Sequence, residues 1–232
     1  SGKFKEAEAL RYEILATSRS EYGSNHGSTL SAIRNLAYLL RKQGKYETAV
    51  PLYREILDIN ISKSHEEDPS VLSAMTSLAG LLSIQGEHES AEELYAKVLS
   101  IKENMYKSNS PKTLSAMDSM ADFLTTQGRY QDAESIYTEI LDTNIGINGE
   151  NDSRTLAAMN SMDTFYLEQG KFAAAEQLVN KRFDIQLEKY GADHMTIKLV
   201  KKDVAIVLAE LGEYEEAINL QKEALEYNLS QY

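Results

Sequence analysis

The sequence predicts an all-α fold, an α-solenoid of antiparallel helix pairs with about 11 helices. Three observations predict it. Six of the twelve glycines, Gly2, Gly44, Gly86, Gly128, Gly170 and Gly212, stand 42 residues apart with no break in register. Each opens a similar phrase, with Phe4, Tyr46, His88, Tyr130, Phe172 or Tyr214 two positions on, followed by Ala7, Ala49, Ala91, Ala133, Ala175 or Ala217. Between the glycines lie two apolar patterns of helical spacing, joined by short polar loops.

The elements follow in chain order. A helix over about residues 3–22 has Ala7, Leu10, Ile14 and Leu15 on one face and no helix before it. It is the second helix of a pair without its partner. The expected organisation is one solenoid over residues 1–232: a leading half-repeat at 1–25, then five pairs starting near residues 26, 68, 110, 152 and 194. A solenoid cut in mid-repeat lacks the polar cap that terminal repeats need. A fragment of a longer protein, or self-association through the end helices, is therefore expected.

The first helix of each pair starts at a polar capping position. Asp68-Pro69 and Ser110-Pro111 place a cap before a proline at the first helical residue. His26 and His194 hold the same phase, four periods apart, and read as caps rather than metal ligands. The apolar set of this helix is Leu72, Met75, Leu78, Ala79, Leu81 and Leu82 in one repeat and Leu114, Met117, Met120, Ala121, Phe123 and Leu124 in the next. The helix closes on Gln-Gly, as at Gln85-Gly86.

The second helix of each pair follows that glycine. Ala49, Leu52, Tyr53, Ile56 and Leu57 fall on one helical face, and Ala91, Leu94, Tyr95, Val98 and Leu99 repeat it. It ends near Gly23, Gly149 or Gly191. Pro51 lies just inside one such helix and should loosen its first turn. Small residues (Ala37, Ala79, Ala121; Ala49, Ala91, Ala133) recur where helices must approach closely. Ten of the 14 tyrosines and five of the seven methionines fall at fixed repeat phases, which reads as packing.

At these residues the chain resembles the tetratricopeptide repeat family. Residues 36–57, LAYLLRKQGKYETAVPLYREIL, carry the small residue, glycine, aromatic and alanine of that pattern. The 42-residue period resembles the lengthened repeat of kinesin light chains. The resemblance covers the whole chain and implies a right-handed superhelix whose concave groove is lined by the first helix of each pair. Carried over by position, the groove would offer Arg34, Asn35, Tyr38, Arg41 and Lys42, then Thr76, and later Asn160. Kinesin-light-chain repeats commonly carry Asn-Asn before Leu-Ala. Here Arg34-Asn35, Thr76-Ser77, Asp118-Ser119, Asn160-Ser161 and Lys202-Asp203 stand instead, so the groove has its own chemistry.

One pair departs from the pattern. Asp163 replaces the small alanine, and Arg182 replaces the Ile or Val of Ile56, Val98 and Ile140. A charge at a helix crossing needs water or a polar partner.

Composition narrows the function. A net charge of −12 argues against nucleic acid and anionic membrane as general partners. The absence of cysteine removes disulfides and thiolate metal sites and fits the cytoplasm. No nucleophile elbow, phosphate loop or metal-spaced histidine pair is present, so no enzyme activity, cofactor or metal is expected. The expected function is an adaptor-like protein-interaction scaffold that holds a peptide or helical segment of a partner in its groove. Arg34, Arg41 and Lys42 would form a basic entry for an acidic segment. The alternative is a structural, oligomerisation or sensor arm of a larger protein.

Overall fold

The computed structural model describes the backbone of residues 2–192 and 194–230, and side chains over residues 5–192 and 194–223. The ring of Phe4, part of the repeat phrase, and the whole of Tyr232, one of the ten tyrosines at fixed repeat phases, lie outside the described residues.

Eleven helices form among the described residues: α1 Gly2–Tyr22, α2 Gly27–Lys42, α3 Tyr46–Lys63, α4 Pro69–Gln85, α5 His88–Tyr106, α6 Pro111–Thr126, α7 Tyr130–Asn148, α8 Ser153–Glu168, α9 Phe172–Tyr190, α10 Met195–Leu211 and α11 Tyr214–Ser230. The chain is an all-α solenoid of consecutive helix pairs. Its contacts divide it into two units, residues 1–123 and 124–232. In the first, α1 packs on α2, α2 on α3, α3 on α4 and α4 on α5. In the second, α7 packs on α8, α8 on α9, α9 on α10 and α10 on α11.

Side-chain caps at the expected phase open α2, α4, α8 and α10, whereas α3, α5, α7 and α9 start without one. Asp68 Oδ1 accepts the Ser70 N–H at 2.8 Å, and Asp152 Oδ1 accepts that of Arg154 at 2.9 Å. His26 and His194 act in the same way: Nδ1 accepts the N–H of Ser28 and of Thr196, each at 3.2 Å. Such a bond satisfies one of the donors that a helix start leaves open. Gly86 and Gly212 close α4 and α10 with φ of 85° and 89°, a backbone that side chains other than glycine rarely adopt.

Alanine sets the helix spacing. Ala37, Ala79, Ala121 and Ala205 are fully buried on the first helices of their pairs, as are Ala49, Ala91, Ala133 and Ala175 on the second helices. Larger side chains there would push helices apart at a cost of roughly 1–3 kcal/mol each. Around them pack Ile33, Leu36 and Leu40 of α2 and Met75, Leu81 and Leu82 of α4. In the second unit, Ala175, Val179, Val200 and Val207 form one such cluster. A second device holds three of the inter-pair loops. Thr29, Thr113 and Thr155 are fully buried, and their hydroxyls donate to the carbonyls of Gly23, Lys107 and Gly149 at 2.7, 2.8 and 2.7 Å.

Three expectations are corrected. The ring two residues after Gly44, Gly86, Gly128, Gly170 and Gly212 is the first residue of its helix, before the apolar face has turned inward. His88 is exposed, Tyr130 and Tyr214 are 45 % and 64 % exposed, and Tyr46 and Phe172 are half-buried, so this phase is not a buried packing position. Tyr22 and Tyr190 are also exposed; each stacks on the capping histidine that follows, with ring centroids 4.9 Å apart for Tyr22–His26 and 4.7 Å for Tyr190–His194. The phase of Tyr53, Tyr95 and Tyr137 packs inward, with Tyr95 against Phe123 and Tyr137 against Phe165. Finally, Pro51 lies past the first turn of α3, which runs through it unbroken.

Candidate functional site

Burial of Ile33, Leu36, Ala37 and Leu40 fixes the face that α2 leaves free. Helical geometry then projects Arg34, Asn35, Tyr38, Arg41 and Lys42 away from the core, and all five are exposed. Arg34, Asn35 and Tyr38 line a cleft of about 410 Å³ with Tyr53 and Ile56 of α3 and Ser70, Ser73, Ala74 and Ser77 of α4. Tyr38 is 51 % exposed and carries cations over its ring, with Arg41 Cζ 5.6 Å and Lys42 Nζ 5.7 Å from the centroid. Burial raises the pKa of the Tyr53 hydroxyl, and the neighbouring Arg41, which hydrogen-bonds it, opposes the rise. Among the described residues, Arg34, Arg41 and Lys42 have no carboxylate partner.

Thr76 lines the next cleft, of about 350 Å³, between α4, α5 and α6. It is half-buried, and its hydroxyl donates to the Leu72 carbonyl of its own helix at 2.9 Å. The two clefts share Ser73 and Ser77, so within the first unit they adjoin. No Asp or Glu lines either one. Asn160 is exposed on α8 in the second unit and lines neither cleft. The structure thus gathers Arg34, Asn35 and Tyr38 in one cleft, sets Arg41 and Lys42 beside it, puts Thr76 in the adjoining cleft, and leaves Asn160 apart.

Sequence reasoning missed Lys102, Tyr106 and Lys112, which line the second cleft. Lys112 Nζ sits 4.1 Å from the centroid of the Tyr106 ring. A signal for Lys102 existed. Asn60, Lys102, Asn144 and Gln186 share one repeat phase, all polar and all turned inward. Asn60 and Asn144 spend their amides on the Ser70 and Ile140 carbonyls at 3.0 and 2.9 Å. Lysine alone at this phase carries a charge.

The departures at Asp163 and Arg182 resolve into one ionic cluster in the second unit. Arg182 Nη2 donates to Asp163 Oδ2 at 2.8 Å and to Asp203 Oδ2 at 2.9 Å. Of the two ways to satisfy these charges, water or a polar partner, the chain uses the partner.

The fold can be placed among known proteins. A tetratricopeptide repeat model matches residues 1–62, 34–104, 70–144, 112–188 and 154–229. The chain belongs to the tetratricopeptide repeat family. Solved structures similar to this tetratricopeptide array include BtubC (BKLC) from P. vanneervenii, at 19 % identity and a TM-score of 0.68 over 98 % of this chain and 92 % of that one. A putative kinesin light chain from Podosopora anserina with nearly identical repeats is 23 % identical, with a TM-score of 0.68 over 82 % and 90 % of the two chains. The fold is thus similar to that of kinesin-light-chain-like arrays, alongside a repeat period of 42 residues in this sequence. NprR, solved in complex with its cognate peptide NprX, is 16 % identical, with a TM-score of 0.60 over 96 % and 62 %. At these identities the likeness concerns the fold. No curated protein matches the chain in sequence. Among the described residues, no helix is long and apolar enough to cross a membrane, and no cluster of three His, Asp or Glu side chains is placed to hold a metal ion.

Proposed function

We propose that this tetratricopeptide array is a non-catalytic interaction scaffold of the cytoplasm, and that its first unit holds an extended peptide segment of a protein partner. The carrying observation is the pair of adjoining clefts across α2, α4 and α6, lined by hydroxyls, amide and aromatic rings and by no carboxylate, in a chain of net charge −12. Arg34, Arg41 and Lys42 form the end of that groove suited to an acidic stretch of the peptide. Tyr38 and Tyr53 offer rings for its apolar side chains, and Asn35 offers an amide for its backbone. The rigid stack of helix pairs presents these groups without having to order them on binding, which lowers the entropic cost of association. NprR, with its peptide NprX, supports the reading as a case of the same fold holding a peptide.

A display selection of random 12-residue peptides on the full chain tests this. Acidic peptides should be enriched, and their affinity should fall at least tenfold in Arg34→Ala/Tyr38→Ala. Enriched peptides that bind this variant as tightly as the parent overturn the assignment.

A second reading, assembly through the end helix, is favoured by the exposure of Leu10 and Ile14 on α1 at 56 % and 47 %. Sedimentation across a dilution series separates the two, since a chain that stays monomeric at all concentrations removes assembly.

A further inference from the structure

The second cleft has a character that the basic entry at Arg34 does not share. Lys102 of α5 and Lys112 of α6 both line it, with the ring of Tyr106 beside the Lys112 ammonium. Neither lysine has an ion pair among the described residues, whereas Lys97 of the same helix is neutralised by Glu66 at 2.8 Å. Lys102 is half-buried, and burial, with Lys112 adding to it, pulls its ammonium pKa below the ordinary value while Tyr106 opposes. The half-buried Lys102 thus carries its charge in a partly desolvated place, with the exposed Lys112 adding like charge beside it and no carboxylate lining the cleft, an arrangement that an anionic ligand would relieve.

The walls bear on what that ligand is. The hydroxyls of Thr76, Ser77 and Ser119 are spent on their own helices, donating to the Leu72, Ser73 and Ser115 carbonyls at 2.9, 2.8 and 3.1 Å. Those of Ser73 and Ser115, which line the cleft one repeat apart on α4 and α6, make no such bond among the described residues. Two ammonium groups and two free hydroxyls present donors for several oxygens and charge for a dianion. A carboxylate brings one charge and two oxygens; a phosphate ester brings close to two charges and three acceptor oxygens. A volume of about 350 Å³ lies within the usual range for small-ligand pockets.

We propose that the cleft between α4, α5 and α6 is the seat of a phosphoryl group carried on a serine or threonine of the peptide in the groove, with Lys102 and Lys112 binding its charge and Ser73 and Ser115 donating to its oxygens. This deepens the peptide-groove reading and rests on it. The site makes the scaffold's choice of partner subject to phosphorylation: the same segment binds when modified and is released when the phosphate is removed.

The test uses the full chain and single capped residues, so that it does not depend on the partner or on the Arg34 cleft. N-acetyl-phosphoserine-N-methylamide, the corresponding capped glutamate and inorganic phosphate are titrated while the amide resonances of Ser73, Lys102, Lys112 and Ser115 are followed by NMR. The expected result is saturable shifts at these four residues with capped phosphoserine, and at least fivefold weaker binding of capped glutamate and of inorganic phosphate. Lys112→Gln and the more buried Lys102→Met should each weaken capped phosphoserine at least tenfold, with circular dichroism unchanged, and Arg34→Ala should leave it within twofold. Absence of saturable shifts, or equal binding by either lysine variant that folds, overturns the site. Equal binding of capped glutamate overturns the phosphoryl assignment, and equal binding of inorganic phosphate overturns the peptide-borne one. Arg34-dependent selection of peptides alongside a silent second cleft would sink this inference alone and leave the groove standing.

Discussion

Arg182 on α9 and Asp163 on α8 meet at 2.8 Å in the interior of the second unit, their side chains only 6 % and 4 % exposed. The same guanidinium nitrogen reaches Asp203 of α10 at 2.9 Å, so three successive helices are tied by one cation. Asp203 is 37 % exposed and keeps contact with water. Arg182 Nε is buried with no partner, so the cluster is not fully satisfied. Burial of such a pair recovers its desolvation cost only while both members remain. Arg182→Ile, which restores the residue type of Ile56 and Ile140, should therefore destabilise by about 3–5 kcal/mol at pH 7, because it strands Asp163. The double change Asp163→Ala/Arg182→Ile rebuilds the pattern of the other repeats and should be near neutral or stabilising. Urea denaturation of both variants measures the difference; a double variant as unstable as Arg182→Ile would contradict the argument.

The same cluster gives a pH dependence. Burial pushes the Asp163 carboxyl up to about 6, Arg182 opposing and Asp203 adding to the rise. An unfolded Asp titrates near 3.9. Between about pH 4 and 6 the folded chain therefore holds a proton that the unfolded chain has released. Stability from this group is greatest below that window and falls as pH rises through it, by about 3 kcal/mol in all at about 1.4 kcal/mol per unit. Asp163→Asn removes the titration. Its stability relative to the parent should rise as pH goes from 4 to 6 and then level off. Carboxylates held low by their partners, such as Glu134 beside Lys171 and Tyr166, act in the opposite sense and cancel in this comparison.

The period, the helix pairs and the alanine crossings were legible because each depends on spacing alone. A residue 42 positions on occupies the same place in the next pair, so the repeat phases report burial directly. The caps at His26 and His194 were legible for the same reason. Spacing says less about the ends of helices. The ring after each glycine looks like packing because it lies just before the apolar face begins, and only the backbone shows that it starts the helix. The two clefts were half legible. Arg34, Asn35 and Tyr38 follow from which face of α2 is buried, but Lys102 sits at a core phase of its helix, where a charge looks like an irregularity rather than part of a cleft. Asp163 and Arg182 were visible as violations of the pattern, yet their pairing depends on side-chain reach across two helices.

Lys107 is a strained copy of a glycine position. Its φ of 75° and ψ of 151° match those of Gly149 (80°, 168°) and Gly191 (78°, 162°), one and two periods away. This region of backbone is almost confined to glycine, and a side chain there costs of order 1–3 kcal/mol. Lys107→Gly should raise stability by about 1 kcal/mol or more, net of the extra chain entropy that glycine brings. Gly191→Ala should lower it by a similar amount. Guanidinium denaturation reads both, and a Lys107→Gly variant no more stable than the parent would remove the strain argument.

Thr155 isolates the loop-holding hydroxyl. It is fully buried and donates to the Gly149 carbonyl at 2.7 Å. Val71 and Ile197 fill the same phase elsewhere and are also fully buried, so the site accepts an apolar β-branched side chain without strain. Thr155→Val thus removes the hydrogen bond and little else. It should cost about 1–3 kcal/mol, the penalty for a buried carbonyl left unpaired. Thr155→Ser, which keeps the hydroxyl and loses one methyl, should cost less than Thr155→Val. The reverse order in thermal unfolding would show that packing rather than the bond holds the loop.

The basic entry predicts a salt effect that separates charge from shape. Arg34, Arg41 and Lys42 are exposed and have no carboxylate partner among the described residues, so replacing all three by alanine should leave the unfolding midpoint within a few degrees of the parent. Exposed ionic contacts are worth about 0.5 kcal/mol each. Three of them to an acidic peptide amount to about 1.5 kcal/mol, or about tenfold in affinity at low salt. The parent should lose that advantage as ionic strength rises and the Debye length shortens from about 10 Å at 0.1 M to about 3 Å at 1 M. The triple variant should show a flatter dependence, and the two curves should converge in high salt, where Tyr38, Tyr53 and the shape of the cleft carry what affinity is left. Calorimetric titration of one acidic peptide at several salt concentrations checks this. Parallel curves would mean that the peptide reaches the protein without touching these cations.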